Sequence, residues 1–516
     1  MTNGLDIRSP ISGFLVLALA LLQSVLVAIV VISDTSLWID EFGTWKLAHV
    51  TNLQDWWQQF QNWPGSDTQF PLYHFYMYLW ARFAGNSEYA LRLANVPLFC
   101  IAQIGLLWPF RREYRVFVAL VAISTVHAFI WYYLNEARAY LMIYLGACAT
   151  LSAVLLIYRN AGASINTVRS STIWLLAGGV SVLAGSSLLG VPAVLGALIF
   201  VAYIAMSRKW HSENIGTSRV IPVVVLFALL GILGIYYLIT LVHGARATNL
   251  FGTNLQTLAF SAYELAGLAG FGPGRLAMRG HGIDALKGHL VLVLVGGFVV
   301  FGTLAYGLRN LYSSHPRKII VIAAVCAVTP VFVLFVVGYL MHWRVLGRHL
   351  MPLLPVILVV LGHACASLWM SGPAWRRAWV IGVIGLIAFS AVEVKLRQSL
   401  DKDDYRAASA VARAAIAAGK ATWWVADSIG AEYYHVPMDL HPDPTNPQCP
   451  AQFANKVTNA ANLKPQCLAH LRTPDVVIIS KPDIHDTLGV VDRYLRANLQ
   501  SPPAELPAFQ IFRRAN

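Results

Sequence analysis

The sequence predicts a polytopic α-helical membrane protein of about eleven spans, with a small C-terminal α/β domain outside the bilayer. Three observations carry that expectation. Hydrophobic residues make up 57% of the 516-residue chain and charged residues only 12%, against about 25% charged in an ordinary soluble domain. A soluble chain of this size could not hide so much apolar material. Long apolar runs, each able to cross about 30 Å of hydrocarbon, recur from residue 11 to residue 394. Charge, Pro and Asn then rise together, which divides the chain into a transmembrane part, 1–395, and a separate domain, 396–516. The same composition excludes a soluble enzyme, a disordered chain and a coiled coil.

The first run, 11–33, follows a lone Arg8. It is too long for the apolar core of a signal peptide, and no Ala-x-Ala-type site follows it, so it reads as an uncleaved span. Further spans are expected near 88–110, 114–134, 137–158, 172–187, 191–207, 219–243, 287–307, 319–341, 348–370 and 376–394. The break at Gly190–Pro192 is either a tight hairpin or a kink in one long helix. Charge decides between them. With the N-terminus in the cytoplasm, the inner loops hold Arg111, Arg112 and Arg115, then Arg159 and Arg169, then Arg208, Lys209 and Arg219. Arg309, Arg317 and Lys318 follow, and last Arg376 and Arg377. That is the positive-inside pattern. One kinked helix would reverse every later loop, so the hairpin is expected and the tail lies outside. The formal net charge of +13 thus serves orientation. No basic stripe interleaved with aromatics points to nucleic acid.

Two outer loops are long, 34–87 and 244–286. The first holds Trp38, Trp45, Trp56, Trp57 and Trp63, a residue type that favours the membrane–water interface. Leu72, Tyr73, Phe75, Tyr76, Leu79, Trp80 and Phe83 repeat at helical spacing in a segment too short to span. A helix on the outer membrane surface is expected there. The alternative, a short tilted span, would invert the charge pattern.

In the tail, 404–418 is a strong helix former ending at Gly419. Segments 421–426 and 475–480 read as short buried strands, 483–499 as a helix, 509–513 as a last strand and 441–450 as a loop. Cys100, Cys148, Cys326 and Cys365 fall in apolar runs and read as small core residues. Cys449 and Cys467 lie close together in the polar tail, where an oxidising compartment favours a disulfide. No Cys-x-x-Cys or His-rich spacing indicates a metal site, so no cofactor is certain and a divalent metal ion stays an open alternative that no ligand spacing indicates.

Three segments carry chemistry, all expected at the outer face. Asp40 and Glu41 follow the first span within Leu37-Trp38-Ile39-Asp40-Glu41-Phe42-Gly43. A carboxylate beside hydrocarbon is costly without a partner. General-base work on a hydroxyl is one reason to place it there, and an ordinary helix cap is the plain alternative. Glu136 and Arg138 occupy an outward turn, where a local ion pair is the plain alternative. Arg344 and Arg348 sit on another outward turn, against the orientation bias. Guanidinium groups there suit a phosphate held by paired hydrogen bonds, and snorkelling to lipid headgroups is the alternative.

At these residues the chain resembles the GT-C superfamily of membrane glycosyltransferases, in particular the bacterial family-39-like and ArnT-like group related to dolichyl-phosphate-mannose–protein mannosyltransferases. Trp38-Ile39-Asp40-Glu41 resembles its Trp-x-Asp-Glu signature, and Gln69-Phe70-Pro71-Leu72-Tyr73 its Pro-Pro-Leu-Tyr element. Gly85-Asn86-Ser87-Glu88-Tyr89-Ala90-Leu91-Arg92-Leu93 and Glu136-Ala137-Arg138-Ala139-Tyr140 resemble its next two elements. Arg348-His349-Leu350-Met351-Pro352-Leu353-Leu354-Pro355 resembles Arg-Tyr-Leu-x-Pro-Leu-x-Pro. Phe70 stands where the first Pro is usual, and His349 where Tyr is usual. The order of elements covers nearly the whole chain, tail included.

The resemblance implies transfer of a hexosyl or pentosyl group from a polyprenyl-phosphate sugar donor to a glycan, lipid or protein acceptor. The expected place is the outer face of the bacterial inner membrane, with the tail periplasmic. Asp40 would be the catalytic base with Glu41 beside it. Glu136 and Arg138 would line the cavity and Arg348 would bind the donor phosphate, with Tyr73, Arg344 and His349 in the same substrate-binding set. The alternatives are a flippase or transporter for a lipid-linked sugar and a ligase acting on one. Few charges fall mid-membrane and no half repeats, which disfavours transport.

Overall fold

The computed structural model describes residues 10–160, 167–208, 216–242, 252–274, 276–278, 282–370, 373–440, 442–443, 446–453, 455–498 and 504–514. Arg8, Lys209 and parts of the 244–286 and 441–450 loops lie outside the described residues.

Among the described residues nine helices are long and apolar enough to cross a membrane. They are Gly13–Val31, Glu88–Phe110, Tyr140–Asn160, Leu188–Ser207, Thr217–Thr240, Asp284–Ser314, Arg317–Leu340, Gly347–Met370 and Ala374–Arg397. A tenth forms if Tyr114–Thr125 and Ala128–Leu134, bent by 52° at their junction, count as one span. The bend frees the Thr125 carbonyl, and the Trp131 indole N–H donates to it at 2.7 Å, as a buried backbone group requires. Ser170–Ser186 is apolar but has only 17 residues. Each expected span thus has its helix. The 172–207 pair is two helices, separated where Ser187 turns extended (φ −167°, ψ 133°).

Small residues draw helices together, as in other lipid-embedded bundles. A Cβ on Gly146 would lie 2.6 Å from the Leu183 backbone nitrogen, and one on Gly179 would lie 2.6 Å from that of Thr150. Those two contacts join Tyr140–Asn160 to Ser170–Ser186.

The first long loop folds into helices Ile39–Ala48, Leu53–Gln61 and Pro71–Ala84. The expected amphipathic helix is the last of these. Its apolar residues divide: Tyr73, Met77 and Tyr78 are buried, while Leu79 and Phe83 are exposed. The tryptophans divide too. Trp57 is exposed, but Trp45 and Trp56 are buried in protein rather than held at an interface. Trp56 stacks on Phe60 at 5.2 Å and packs against Tyr78, so aromatic packing takes the place of lipid there.

The last long helix runs on to Asp401, through the expected 395/396 boundary. The tail then forms helix Tyr405–Ala417, capped by Asp404, which accepts from Ala407 N at 3.0 Å. Its sheet comprises β1 (Thr422–Val425), β2 (Met438–Asp439), β3 (Val457–Asn459), β4 (Val476–Ser480), β5 (Ala504–Leu506) and β6 (Phe509–Arg513). The strand order is β2-β3-β1-β4-β6-β5. β1 is parallel to both β3 and β4, with Trp423 opposite Val477, and β6 runs antiparallel to β4. The helix expected over 483–499 is two helices, Pro482–His485 and Val490–Asn498. Gly489 (φ 62°) breaks it, and the Asp486 carboxylate accepts from Val491 N and Asp492 N to cap the second piece. Cys449 and Cys467 form the expected disulfide.

The tail packs on the loop after the first span. Phe42 meets Tyr405 edge-on at 4.8 Å, and Tyr434 Oη accepts from Leu37 N at 2.9 Å. Lys46 pairs with Glu432, and Arg406 pairs with Glu88 at 2.8 Å.

Candidate active site

The Ile39–Ala48 helix starts with Trp38 as its N-cap and carries Asp40 and Glu41 in its first turn. Negative charge is stabilised at that end of a helix. Successive residues point about 100° apart around a helix, so the two carboxylates enter different surroundings.

Glu41 points inward and is fully buried. Arg92 grips it with two bonds, Nε to Oε1 at 3.0 Å and Nη2 to Oε2 at 2.7 Å. Ala137 N donates to Oε1 at 2.8 Å, and Lys402 Nζ lies 3.9 Å from Oε2. Burial alone would raise its pKa, but Arg92 and Lys402 outweigh burial and hold the carboxyl below its usual 4.5. Arg92 also ties Ser33, Thr35 and Ser36 carbonyls into the same knot.

Asp40 is partly open, with 29% of its side chain exposed. Arg348 Nη1 donates to its Oδ2 at 2.9 Å across 308 positions of sequence. Arg138 Nη1 donates to its backbone oxygen at 2.7 Å. Burial again works upward on the pKa, and the Arg348, Arg138 and Lys481 charges overcome it, so Asp40 stays ionised below its usual 3.8.

Arg138 is oriented by Asp67, a residue that no sequence pattern singled out. Its Nη1 pairs with Asp67 Oδ1, and its guanidinium lies 5.3 Å from the Phe70 ring centre. Asp67 also takes Trp63 Nε1 at 3.1 Å and lies 3.3 Å from His74 Nε2. Its carboxyl is held well below the carboxylate range, because Arg138 and His74 together exceed the effect of burial. The carboxylate rests on Gly43, where a Cβ would stand 2.6 Å from Oδ2. Only glycine lets Asp67 approach that helix.

Arg348 belongs to the 3-10 turn Gly347–Leu353. Its guanidinium lies 5.8 Å from the Tyr140 ring centre. Next to it, His349 Nδ1 accepts from Leu346 N at 3.2 Å. Arg348 and His349 line a narrow cleft with Phe70, Tyr140 and Pro352. Through Leu189, His349 and Pro352 this cleft borders a cavity of about 1510 Å³, lined mainly by apolar side chains, most of them from Tyr140–Asn160, Leu188–Ser207, Arg317–Leu340 and Gly347–Met370. Along Arg317–Leu340 the cavity wall extends from Ile319 to Leu334. Ordinary small-molecule pockets hold about 300–1,000 Å³.

Asp40, Arg138, Arg348 and His349 therefore come together. Glu136 is fully buried behind them, its carbonyl accepting from Asn95 Nδ2 at 2.6 Å. Tyr73 is buried near Thr44 beneath the Asp40 helix rather than on the cleft. Arg344 is exposed and is absent from the cleft lining. Sequence reasoning missed Asp67, Lys402 and Lys481 as neighbours of the site. A lone Asp in a polar loop and lysines in a polar tail carry no spacing signal. Among the described residues, no three His, Cys, Asp or Glu side chains converge to hold a metal ion.

No protein-family model and no curated protein matches the chain. Among solved structures, ArnT from Cupriavidus metallidurans bound to undecaprenyl phosphate is similar over 96% of this chain and 97% of its own, at 13% sequence identity and a TM-score of 0.49.

Proposed function

We propose that this chain is a membrane glycosyltransferase that moves a sugar from a polyprenyl-phosphate-linked donor to an acceptor hydroxyl at the outer face of a bacterial inner membrane. One observation carries the reading. A partly open carboxylate, Asp40, is paired with an arginine, Arg348, on a cleft that borders an apolar cavity large enough for a lipid chain. The ordered motifs that resemble the GT-C superfamily support it, because Phe70, Tyr140, Arg348, His349 and Pro352 of those motifs line that cleft and Arg348 there donates to Asp40.

The chemistry follows from these groups. The isoprenoid chain occupies the apolar cavity and the donor phosphate meets Arg348, which offers two parallel N–H donors. A phosphate there competes with Asp40 for the guanidinium and so unmasks the carboxylate. Asp40 then takes the acceptor proton. The acceptor oxygen bonds to the anomeric carbon as its bond to the phosphate oxygen breaks, and polyprenyl phosphate leaves. Negative charge grows on that phosphate in the transition state, where Arg348 stabilises it. Arg138 holds the Asp40 backbone, and Glu41 anchors the turn from beneath as a positioning residue. The domain division near residue 395, the periplasmic side of the tail and the cytoplasmic N-terminus belong to the same proposal.

The test uses the purified chain in liposomes with synthetic undecaprenyl-phosphate-linked hexose and pentose donors and a bacterial membrane lipid and glycan extract as acceptor. Asp40→Asn is expected to lower transfer by about 10²–10⁴-fold while elution volume and unfolding temperature stay unchanged. Full transfer by Asp40→Asn would refute the base assignment. Donor lipid that merely crosses the bilayer, with its sugar intact, would favour a flippase.

A further inference from the structure

Among the tail side chains that reach the helix carrying Asp40, Lys481 brings a cation to its N-cap. Lys481 directly follows β4, and its side chain is nine-tenths buried. Its Nζ donates to Asp403 Oδ2 at 2.5 Å and lies 5.4 Å from the centre of the Trp38 ring. Trp38 is the N-cap of the helix whose second residue is Asp40. Asp403 directly follows Lys402, whose Nζ reaches the Asn135 carbonyl at 2.7 Å and approaches Glu41. Two consecutive residues thus fasten the two carboxylate neighbourhoods, one of them by way of the tail.

The backbone at Lys481 is left-handed, at φ 43° and ψ 68°. That region is costly for a residue with a Cβ, at about 1–3 kcal/mol. A residue before proline is also pushed towards extended conformations, and Pro482 follows. Glycine would be the cheaper choice, so a lysine there points to use of its side chain. Open α/β sheets bind ligands at the carboxyl ends of their parallel strands. Here those ends press on the Asp40 helix instead. After β1, a Cβ on Gly430 would lie 2.6 Å from Phe42, and after β4 comes Lys481 itself.

We propose that Lys481 is a positioning residue of the transfer reaction, its ammonium seated between Asp403 and Trp38 so that docking of the tail sets the place and the electrostatic surroundings of Asp40. The inference rests on Asp40 being the base. Besides Lys481, the groups facing Asp40 are Arg348 and His349 from the 347–353 turn, Arg138 and Tyr140 from the 135–140 segment, and Tyr405 from the tail. Lys481 itself is faced by Asp403 and Asp427. The lysine adds one more cation beside Asp40, whose other cationic neighbours, Arg348 and Arg138, come from the membrane part.

The protonation of Asp40 can be read without any substrate, from the carboxyl band in the infrared difference between the full-length chain and its Asp40→Asn variant. Lys481→Met is expected to move that titration upward by about one pH unit, the low end of what a nearby opposite charge produces. Lys481→Arg is expected to restore it. In transfer assays Lys481→Met should lower kcat by about tenfold, the rate equivalent of about 1.4 kcal/mol, and leave donor KM within about twofold, because Arg348 still holds the phosphate. A folded Lys481→Met that titrates at the wild-type pH overturns the proposal. Lys481→Gln is the second variant, and if neither neutral variant folds while Lys481→Arg does, the ammonium is a structural tie only and the proposal also fails. Full activity of Asp40→Asn would instead overturn the base assignment, whatever the titration shows.

Discussion

Replacing Glu41 by glutamine should unfold this protein far more readily than replacing its neighbour Asp40 by asparagine. Glu41 and Arg92 are both fully buried, and Arg92 gives Glu41 two hydrogen bonds, at 3.0 and 2.7 Å. The amide removes the charge and leaves Arg92 as a buried cation. Breaking a buried pair from one side costs about 3–5 kcal/mol. Asp40, partly exposed and bonded to a partly exposed Arg348, should cost only about 0–1 kcal/mol on neutralisation. Unfolding in detergent can be followed with a thiol-reactive fluorophore, because Cys148 and Cys365 are buried until the bundle opens. The pH dependence gives a second reading. The Glu41 carboxyl is held below its usual 4.5 in the fold, so its contribution is complete above that value and is lost as pH falls below it through the folded value. Wild type should therefore lose stability in acid, and Glu41→Gln should start lower and lose less over the same interval. A Glu41→Gln variant as stable as wild type at pH 7 would refute the reasoning and return Glu41 to the candidates for direct chemistry.

Other predictions concern the donor side and the support of Arg138. Arg348→Ala should lose both donor affinity and turnover, and Arg348→Lys should be intermediate because it keeps charge without the paired N–H geometry. Equal activity of Lys and Arg at 348, measured with donor concentration varied, would favour lipid-headgroup snorkelling. Gly43→Ala should push Asp67 off the helix, cost about 1–3 kcal/mol and lower turnover through Arg138. Gly385→Ala, with nothing within 4 Å of its added Cβ, is the control expected to leave transfer unchanged.

What the sequence by itself determined was whatever repeats or terminates locally. Apolar runs and loop arginines located all eleven helical segments, because burial in hydrocarbon needs length and composition that any window displays; the break expected at Gly190–Pro192 falls a few residues earlier, at Ser187. The tail helix at Tyr405–Ala417 and strands β1, β4 and β6 were legible for the same local reason. β2, β3 and β5, of two or three residues each, are too short to carry a period, and Gly489 and Asp486 divided a helix that composition alone would continue. The motifs named Asp40, Glu41, Arg138 and Arg348, yet they treated the two carboxylates as one pair. Only the tertiary structure separated them, by delivering Arg92 and Ala137 to Glu41 and Arg348 to Asp40 from 308 positions away. It also supplied Asp67 over Gly43 and Lys481 beside Trp38. Charge pairing depends on separation and burial, and both are set by which distant segments pack together, so the state of each carboxylate is a property of the fold rather than of its own stretch of chain.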